Sequence, residues 1–241
     1  MKTFEDLEEE TKGYRSGKID PVTKIYWTLN SEIILKLAMK NSSEGNKILD
    51  VGCGVGSYLV GLSKEGRVSF GVDPLWETSL VKAHKKADSE EVDIYLFRAF
   101  GEYLPFKDEV FDEVLCVSTL QHVNDQYKTL QGIKRVLKQK GLLLVSVPQT
   151  IRKSSFKRLG VYTMHFNLKI LNNMLNECGF KVIETKGCGF FPPFTRKILN
   201  YCYPLLGDKI TKRIIIFFLD IFAKLVPKYA SSIIVLCEVN K

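Results

Sequence analysis

The sequence predicts an α/β fold on a doubly wound, mostly parallel sheet of seven strands. Three observations point there. β-Branched apolar runs alternate with segments of helical periodicity from residue 47 onward, as in βαβ units. The runs are nearly continuous in apolar residues, as strands buried on both faces are. The first run ends in "DVGCGVG" and the second in "GVD", a glycine turn and an acid where such sheets bind ligands.

The elements follow in order. "DPVTKIYWTLNSEIILKLAMKN" (20–41) opens with Asp20 as an N-cap and Pro21 at the first helical position, which favours a helix. "KILDV" (47–51), "RVSFGVD" (67–73), "VDIYLFRA" (92–99), "FDEVLCVS" (111–118) and "GLLLVSVP" (141–148) read as strands. Between them, "SYLVGLSKEG", "LWETSLVKAHKKA" and "DQYKTLQGIKRVLKQKG" have helical spacing and glycine stops. A helix "NLKILNNMLNECG" follows, with Asn167 as cap and Gly179 as stop. Strand "FKVIETKG", an insertion over about 190–230 and a last strand "SSIIVLCEV" complete the chain.

At 241 residues and 45% hydrophobic content, one domain suffices. We divide residues 1–241 into a helical lid (1–46), a ligand-binding core (47–189), a helical insertion or cap (190–230) and the last strand (231–241). The six cysteines are scattered, with neither disulfide framework nor metal-ligand spacing, so no metal is expected. The acidic start "MKTFEDLEEETK" has no secretory apolar stretch, and a cytoplasmic protein is expected. Charge is uneven: residues 1–147 sum to −2 and residues 148–241 to +10. Such asymmetry suits an anionic partner, although surplus lysine for solubility gives the same count.

The insertion contains "DKITKRIIIFFLDIFAKLV". Lys212, Arg213, Asp220 and Lys224 interrupt it short of the ~20 apolar residues that cross a bilayer. As a helix it carries Ile210, Ile214, Phe217, Ile221 and Leu225 on one face, widened by Ile215, Phe218, Phe222 and Val226. That face fits packing on the sheet or on a second subunit, as in a homodimer. It also fits a lid over an apolar substrate, or a helix lying at the inner membrane face.

The glycine loop decides the ligand class. Dinucleotide sites favour G-x-G-x-x-G, whereas from Gly52 the run is G-C-G-V-G-S, with Ser57 in the sixth place. The pattern from Asp50 to Gly56 is D-x-G-x-G-x-G. It resembles motif I of the Rossmann-like methyltransferases that use S-adenosylmethionine. Asp73, at the end of the second strand, can accept hydrogen bonds from two ribose hydroxyls, as at NAD sites too. "FRAFGEYLPFKDEVFDEVLCVSTLQHVND" (97–125) resembles the "gDAexLPFxDxxFDxVxxxxxLxHxxD" run of ubiquinone/menaquinone- and sterol-type class I methyltransferases. "RVLKQKGLLLVSVP" (135–148) is similar to the family's next motif. The resemblance covers 47–187 and thins out over the N-terminal helix and the insertion.

The resemblance implies a Rossmann-like methyltransferase fold, methyl transfer from S-adenosyl-L-methionine, and S-adenosyl-L-homocysteine as product. Asp50 would orient the methionine end, with the Gly52 and Ser118 carbonyls turned to its ammonium. Gly54 and Gly56 would allow close approach, with Cys53 and Pro74 beside them. Leu75 or Trp76 would cover the adenine. The family's adenine-reading acid falls at Phe100, which cannot accept that bond. Glu102, backbone carbonyls or packing of Phe100 would read the ring instead, with the Gly101 N–H serving adenine N1. Tyr14 and Arg15 are assigned to the methionine carboxylate on residue type alone.

Methyl transfer from a sulfonium needs mainly proximity and alignment, and a general base only where the acceptor loses a proton. His165, between strand five and the next helix, is the base candidate. His122, past strand four, is structural, cofactor-side or catalytic, and His84 lies on a solvated helix. Exocyclic amine methylation of nucleic acids goes with [N/D/S]-P-P-[Y/F/W] after strand four, where this chain has "CVSTLQ", and "FPPF" (191–194) comes too late. No Pro-Cys pair marks a C5 nucleophile, so nucleic acid is disfavoured, with RNA kept open by the basic C-terminal part. A small-molecule or lipid-like acceptor remains, apolar and anionic: a prenylated ring, a lipid-linked sugar or a fatty acid, taking the methyl on oxygen or carbon. A non-catalytic partner subunit and an NAD(P)-dependent reductase are the alternatives.

Overall fold

The computed structural model describes residues 20–149, 164, 166–188, 195–225 and 232–240, the side chains of 188, 195–196 and 218–225 excepted. Helix α1 (Pro21–Asn41) precedes β1 (Lys47–Val51), α2 (Ser57–Lys64) and β2 (Val68–Asp73). A single π-helical turn (Trp76–Leu80) leads into α3 (Val81–Ser89), then β3 (Ile94–Arg98), β4 (Phe111–Val117), α4 (Gln126–Val136) and β5 (Leu137–Pro148). Helix α5 (Leu168–Glu177), β6 (Phe180–Cys188), α6 (Thr195–Leu225) and β7 (Ser232–Val239) follow.

The seven strands form one sheet in the order β3-β2-β1-β4-β5-β7-β6. The first five run parallel, and β7 lies antiparallel between β5 and β6. Side chains alternate between the two faces as strand geometry demands. On β7, Ile233, Val235, Cys237 and Val239 join the core beneath α4 and α5, whereas Ile234 and Leu236 join the core beneath α1 and α6. A third group, Cys53, Leu59 and Leu80, fills the space under the β3 end.

The two predicted caps are present. Asp20 Oδ1 accepts from the Thr23 N–H at 3.0 Å and Asn167 Oδ1 from the Ile170 N–H at 2.9 Å, and Asp125, not foreseen as a cap, accepts from the Lys128 N–H at 2.9 Å. Asp20 also receives Asn200 Nδ2 at 2.6 Å, which ties the start of α1 to α6. Thus residues 21–41 pack along the sheet, burying Val22, Leu29, Ile34, Leu37 and Ala38.

Three details differ from the sequence reading. Helix α4 stops at Val136 rather than running to Gly141. Leu137 already pairs with Phe111 of β4, Lys138 bonds Asp112 at 2.7 Å, and the chain bends through Lys140 at φ 58°. The helix after β2 opens with a π turn, closed by Leu80 N–H to Leu75 O at 3.2 Å. In α6, which breaks at Gly207 (φ 63°, ψ 177°), the inward side is Thr211 and Ile215, with Ile214 partly covered. Ile210 and Phe217, expected on the packing face, are 48% and 59% exposed. Helical spacing defined an apolar arc wider than the contact, and the kink sets which part faces in.

One buried acid stands out at the base of the sheet. Glu113 of β4 is 1% exposed and both its oxygens lack a hydrogen-bond partner. The nearby Ser42 hydroxyl donates to Ala38 O at 2.8 Å and accepts from Arg67 Nε at 3.3 Å. Burial pushes the carboxyl up to about 8, against the pull of the Arg67 guanidinium and of the Ser42 hydroxyl beside it. The folded state therefore keeps a proton that an ordinary glutamate releases near 4.5. The penalty is absent below that pH and grows as pH rises towards about 8. Glu113→Gln should remove the dependence, raising Tm at pH 8 by roughly 2–4 °C for each kcal/mol recovered and leaving Tm at pH 4.5 nearly unchanged. Thermal melts at the two pH values check this.

Candidate functional site

The site lies at the C-terminal ends of β1, β2 and β4, where the chain must turn from sheet to helix. Val72 O receives the N–H of Gly52 at 2.8 Å and of Cys53 at 3.0 Å, so the β1 turn is held against the end of β2. Gly52, Gly54 and Gly56 all sit at positive φ (76°, 54° and 71°), a region in which other residues are strained. A Cβ on Gly52 would lie 2.2 Å from Thr119 Oγ1. Glycine there lets the turns after β1 and β4 close on each other, and the Thr119 hydroxyl reaches Gly52 O at 3.4 Å.

Asp73 is fixed by backbone. Its Oδ2 accepts from the Gly54 N–H and its Oδ1 from the Leu75 N–H, both at 2.9 Å. One carboxylate thereby couples the glycine loop to the turn leaving β2. Pro74 O receives Arg98 Nε at 3.2 Å, Leu75 is buried, and Trp76 is 48% exposed on the π turn beyond.

Asp50 has a different environment. It is 1% exposed, and neither oxygen has a hydrogen-bond partner. Burial raises its pKa to about 8, with the Asp73 charge adding to the effect. A buried carboxylate without partners, one residue before a loop of positive-φ glycines, suits a cationic group brought by a ligand. The same two acids, after burial, push the Cys53 thiol well above its ordinary value, which keeps it protonated.

The remaining expected residues lie around the turns after β3 and β4. Phe100 is half-buried, and Gly101 is packed so closely that a Cβ would meet Thr129 and Val51 at 3.2 and 3.3 Å. Glu102 Oε1 accepts from the Asn124 N–H at 2.7 Å and the Asp125 N–H at 3.3 Å. Glu102 thus fastens the loop that carries His122. Ser118 is exposed at φ 52°, its N–H donating to Ser146 O at 2.7 Å. His122 donates its backbone N–H to Thr119 O at 2.8 Å. The residue is exposed, and partial desolvation by the surrounding protein lowers its pKa from the ordinary imidazole value. Tyr14, Arg15 and His165 lie outside the described residues.

Thr119 was missed by sequence reasoning, since nothing in "STLQ" shows that its side chain abuts Gly52. Arg135 was missed too. From α4 it donates to Leu104 O at 3.0 Å, Phe106 O at 2.7 Å and Asp108 at 2.8 Å, which holds the "LPFKD" loop in place. A groove of about 620 Å³ lined by Asp108, Lys134, Arg135 and Glu177 lies at the other end of the sheet, before β4 begins.

Comparison with known proteins gives the family and the fold. Residues 49–145 match the family model of the methyltransferase domain. The chain is 30% identical to an uncharacterised protein of Methanocaldococcus jannaschii, over 75% of this chain and 78% of that one. It is 33% identical to a demethylmenaquinone methyltransferase of Staphylococcus saprophyticus, over 67% of this chain and 72% of that one. In fold it resembles a phosphoethanolamine N-methyltransferase of Haemonchus contortus in complex with S-adenosyl-L-methionine (TM-score 0.66, 16% identity, all of this chain and 61% of that one).

Two substitutions test the turn. Asp73→Ala frees two backbone N–H groups and removes the carboxylate expected to accept from ribose, and Gly52→Ala drives a methyl into Thr119. Each should weaken S-adenosylhomocysteine binding by about 100-fold or more, given that charge-assisted hydrogen bonds contribute ~1.5–3 kcal/mol each. Calorimetric titration gives the affinity, and circular dichroism should show the sheet retained.

Proposed function

This chain belongs to the class I S-adenosylmethionine-dependent methyltransferases, and on that footing we propose that it methylates a small-molecule or lipid-like acceptor on oxygen or carbon. The observation that carries the cofactor part is the unpartnered Asp50 carboxylate beside the positive-φ glycines. When bound, S-adenosylmethionine supplies a methyl group on a positively charged sulfur.

In this reading each residue has a distinct task. Asp50 faces the cationic methionine end, and Gly52 and Ser118 present carbonyls to its ammonium. Asp73, oriented by Gly54 and Leu75, receives the ribose hydroxyls. Leu75 and Trp76 cover one side of the adenine, with Phe100 and the Gly101 N–H at its edge. Glu102 holds the 119–125 loop through Oε1, beside its expected place at the adenine edge. His165 is the first candidate to take a proton from a hydroxyl acceptor, and His122, in that loop with its pKa lowered by desolvation, is the second.

The acceptor class rests on α6. Its first half adjoins the start of α1 through Asn200 and Asp20, and Tyr26 of α1 meets Ser232 at the start of β7 with their hydroxyls 3.0 Å apart. Ser232 pairs with Pro148 at the end of β5, so this apolar, basic helix lies at the edge of the sheet that bears the site. An apolar acceptor with an acidic group fits such a border, and peripheral membrane contact through residues 190–230 would bring the two together. No helix among the described residues is long and apolar enough to cross a membrane.

Two measurements test the proposal. Asp50 is protonated in the ligand-free chain at pH 7, since its pKa stands at about 8, and a cation beside it favours the ionised form. Binding at pH 7 should release up to about one proton, and affinity should fall as pH drops from 8 to 6. Calorimetry in buffers of different ionisation heat reads the release, which Asp50→Asn should abolish. Separately, tritiated methyl from S-adenosylmethionine, offered with lipid and polar metabolite extracts, should enter the organic phase. Label confined to polar products would overturn the lipid-like acceptor.

A further inference from the structure

The outward side of α6 combines large apolar side chains with cations. Before the kink, Ile198, Tyr201 and Leu205 stand on one side at helical spacing, 60%, 87% and 90% exposed, next to exposed Lys197. After it, Lys209, Ile210, Arg213, Ile216 and Phe217 share the side opposite buried Thr211 and Ile215. Between 195 and 217 the helix carries five basic residues (Arg196, Lys197, Lys209, Lys212 and Arg213) and one acid, Asp208. Asp208 is engaged by the Tyr203 hydroxyl and Lys212 by Glu32 at 3.2 Å. Lys197, Lys209 and Arg213 stand among the apolar tips.

The geometry points to an anionic lipid surface as the partner of this face: Ile198, Tyr201, Leu205, Ile210 and Phe217 enter the interfacial layer while Lys197, Lys209 and Arg213 meet phosphate groups. A helix lying in an interface has this division, with one side on protein and aromatic and aliphatic tips among cations on the other. Charge argues against a second copy of the chain. A two-fold contact brings a patch against itself, which would set this cationic face against an identical one. The contact also has a direction. The first half of α6 borders the C-terminal ends of the strands, so docking brings that edge, and the site on it, near the lipid. The inference deepens the membrane contact proposed above by naming its residues and its lipid chemistry, and rests on that part of the reading; the vesicle test reads neither methyl transfer nor cofactor binding.

Co-sedimentation of the full chain with vesicles tests it. The chain should pellet with vesicles of phosphatidylcholine and phosphatidylglycerol, not with phosphatidylcholine alone, and should be released as salt rises from about 0.05 to 0.5 M. Tyr201→Ser with Leu205→Ser should weaken partitioning by about 10-fold or more. Lys209→Ala with Arg213→Ala should weaken it by about 5-fold per charge. Both pairs should keep the parent Tm and S-adenosylhomocysteine affinity, which separates loss of docking from loss of folding or of the cofactor site. Failure to pellet with anionic vesicles, or variants that pellet like the parent, would overturn the inference. So would a dimer in light scattering that Leu205→Ser converts to monomer, since that would assign the face to a second copy.

Discussion

The site depends on how closely the turn after β1 approaches its neighbours. Two N–H groups of that turn converge on Val72 O, Asp73 holds a third, and Thr119 fills the space a side chain at position 52 would need. The ends of β1 and β2 are thus joined by main-chain bonds and the Asp73 carboxylate, and the buttressing Thr119 side chain closes the end of β4 against them. Polar groups presented there are fixed before any ligand arrives, which limits the ordering cost of binding. The positive φ values at Gly52, Gly54 and Gly56 are the local requirement of that closure.

Two buried carboxylates show how position separates function from structure. Asp50 and Glu113 are each 1% exposed, each without a hydrogen-bond partner, and each pushed up to about 8. Glu113 has a guanidinium nearby, at the base of the sheet away from the glycine loop. Asp50 has a second acid instead, at the open end of the strands. In the proposed reading, the positive charge that Asp50 lacks would come from the ligand, whereas Glu113 has part of its compensation built in.

Much of the fold was legible because it rests on short-range rules. Apolar strands, alternation, and the caps at Asp20 and Asn167 read directly from residue type and spacing. The glycine register and Asp73 marked the binding edge. What escaped depends on contacts distant in sequence. The stop at Val136 follows from pairing with Phe111, and the role of Glu102 from its reach to Asn124 and Asp125. Thr119 is informative only once Gly52 is seen against it. For α6, periodicity named an apolar helix, but the side turned inward was set by the break at Gly207 and by the fit to α1.

The antiparallel placement of β7 has a consequence for how such an enzyme diversifies. Cys188 pairs with Ser232, so the segment between β6 and β7 leaves and re-enters the sheet at adjacent points on one edge. It is topologically a hairpin loop, and lengthening such a loop costs little in closure entropy and shifts no strand register. The strands that carry the candidate site, β1, β2 and β4, lie on the far side of β5. Residues between the two strands can therefore be exchanged as a cassette, altering what the border of the site meets while the sheet beneath keeps its pairing.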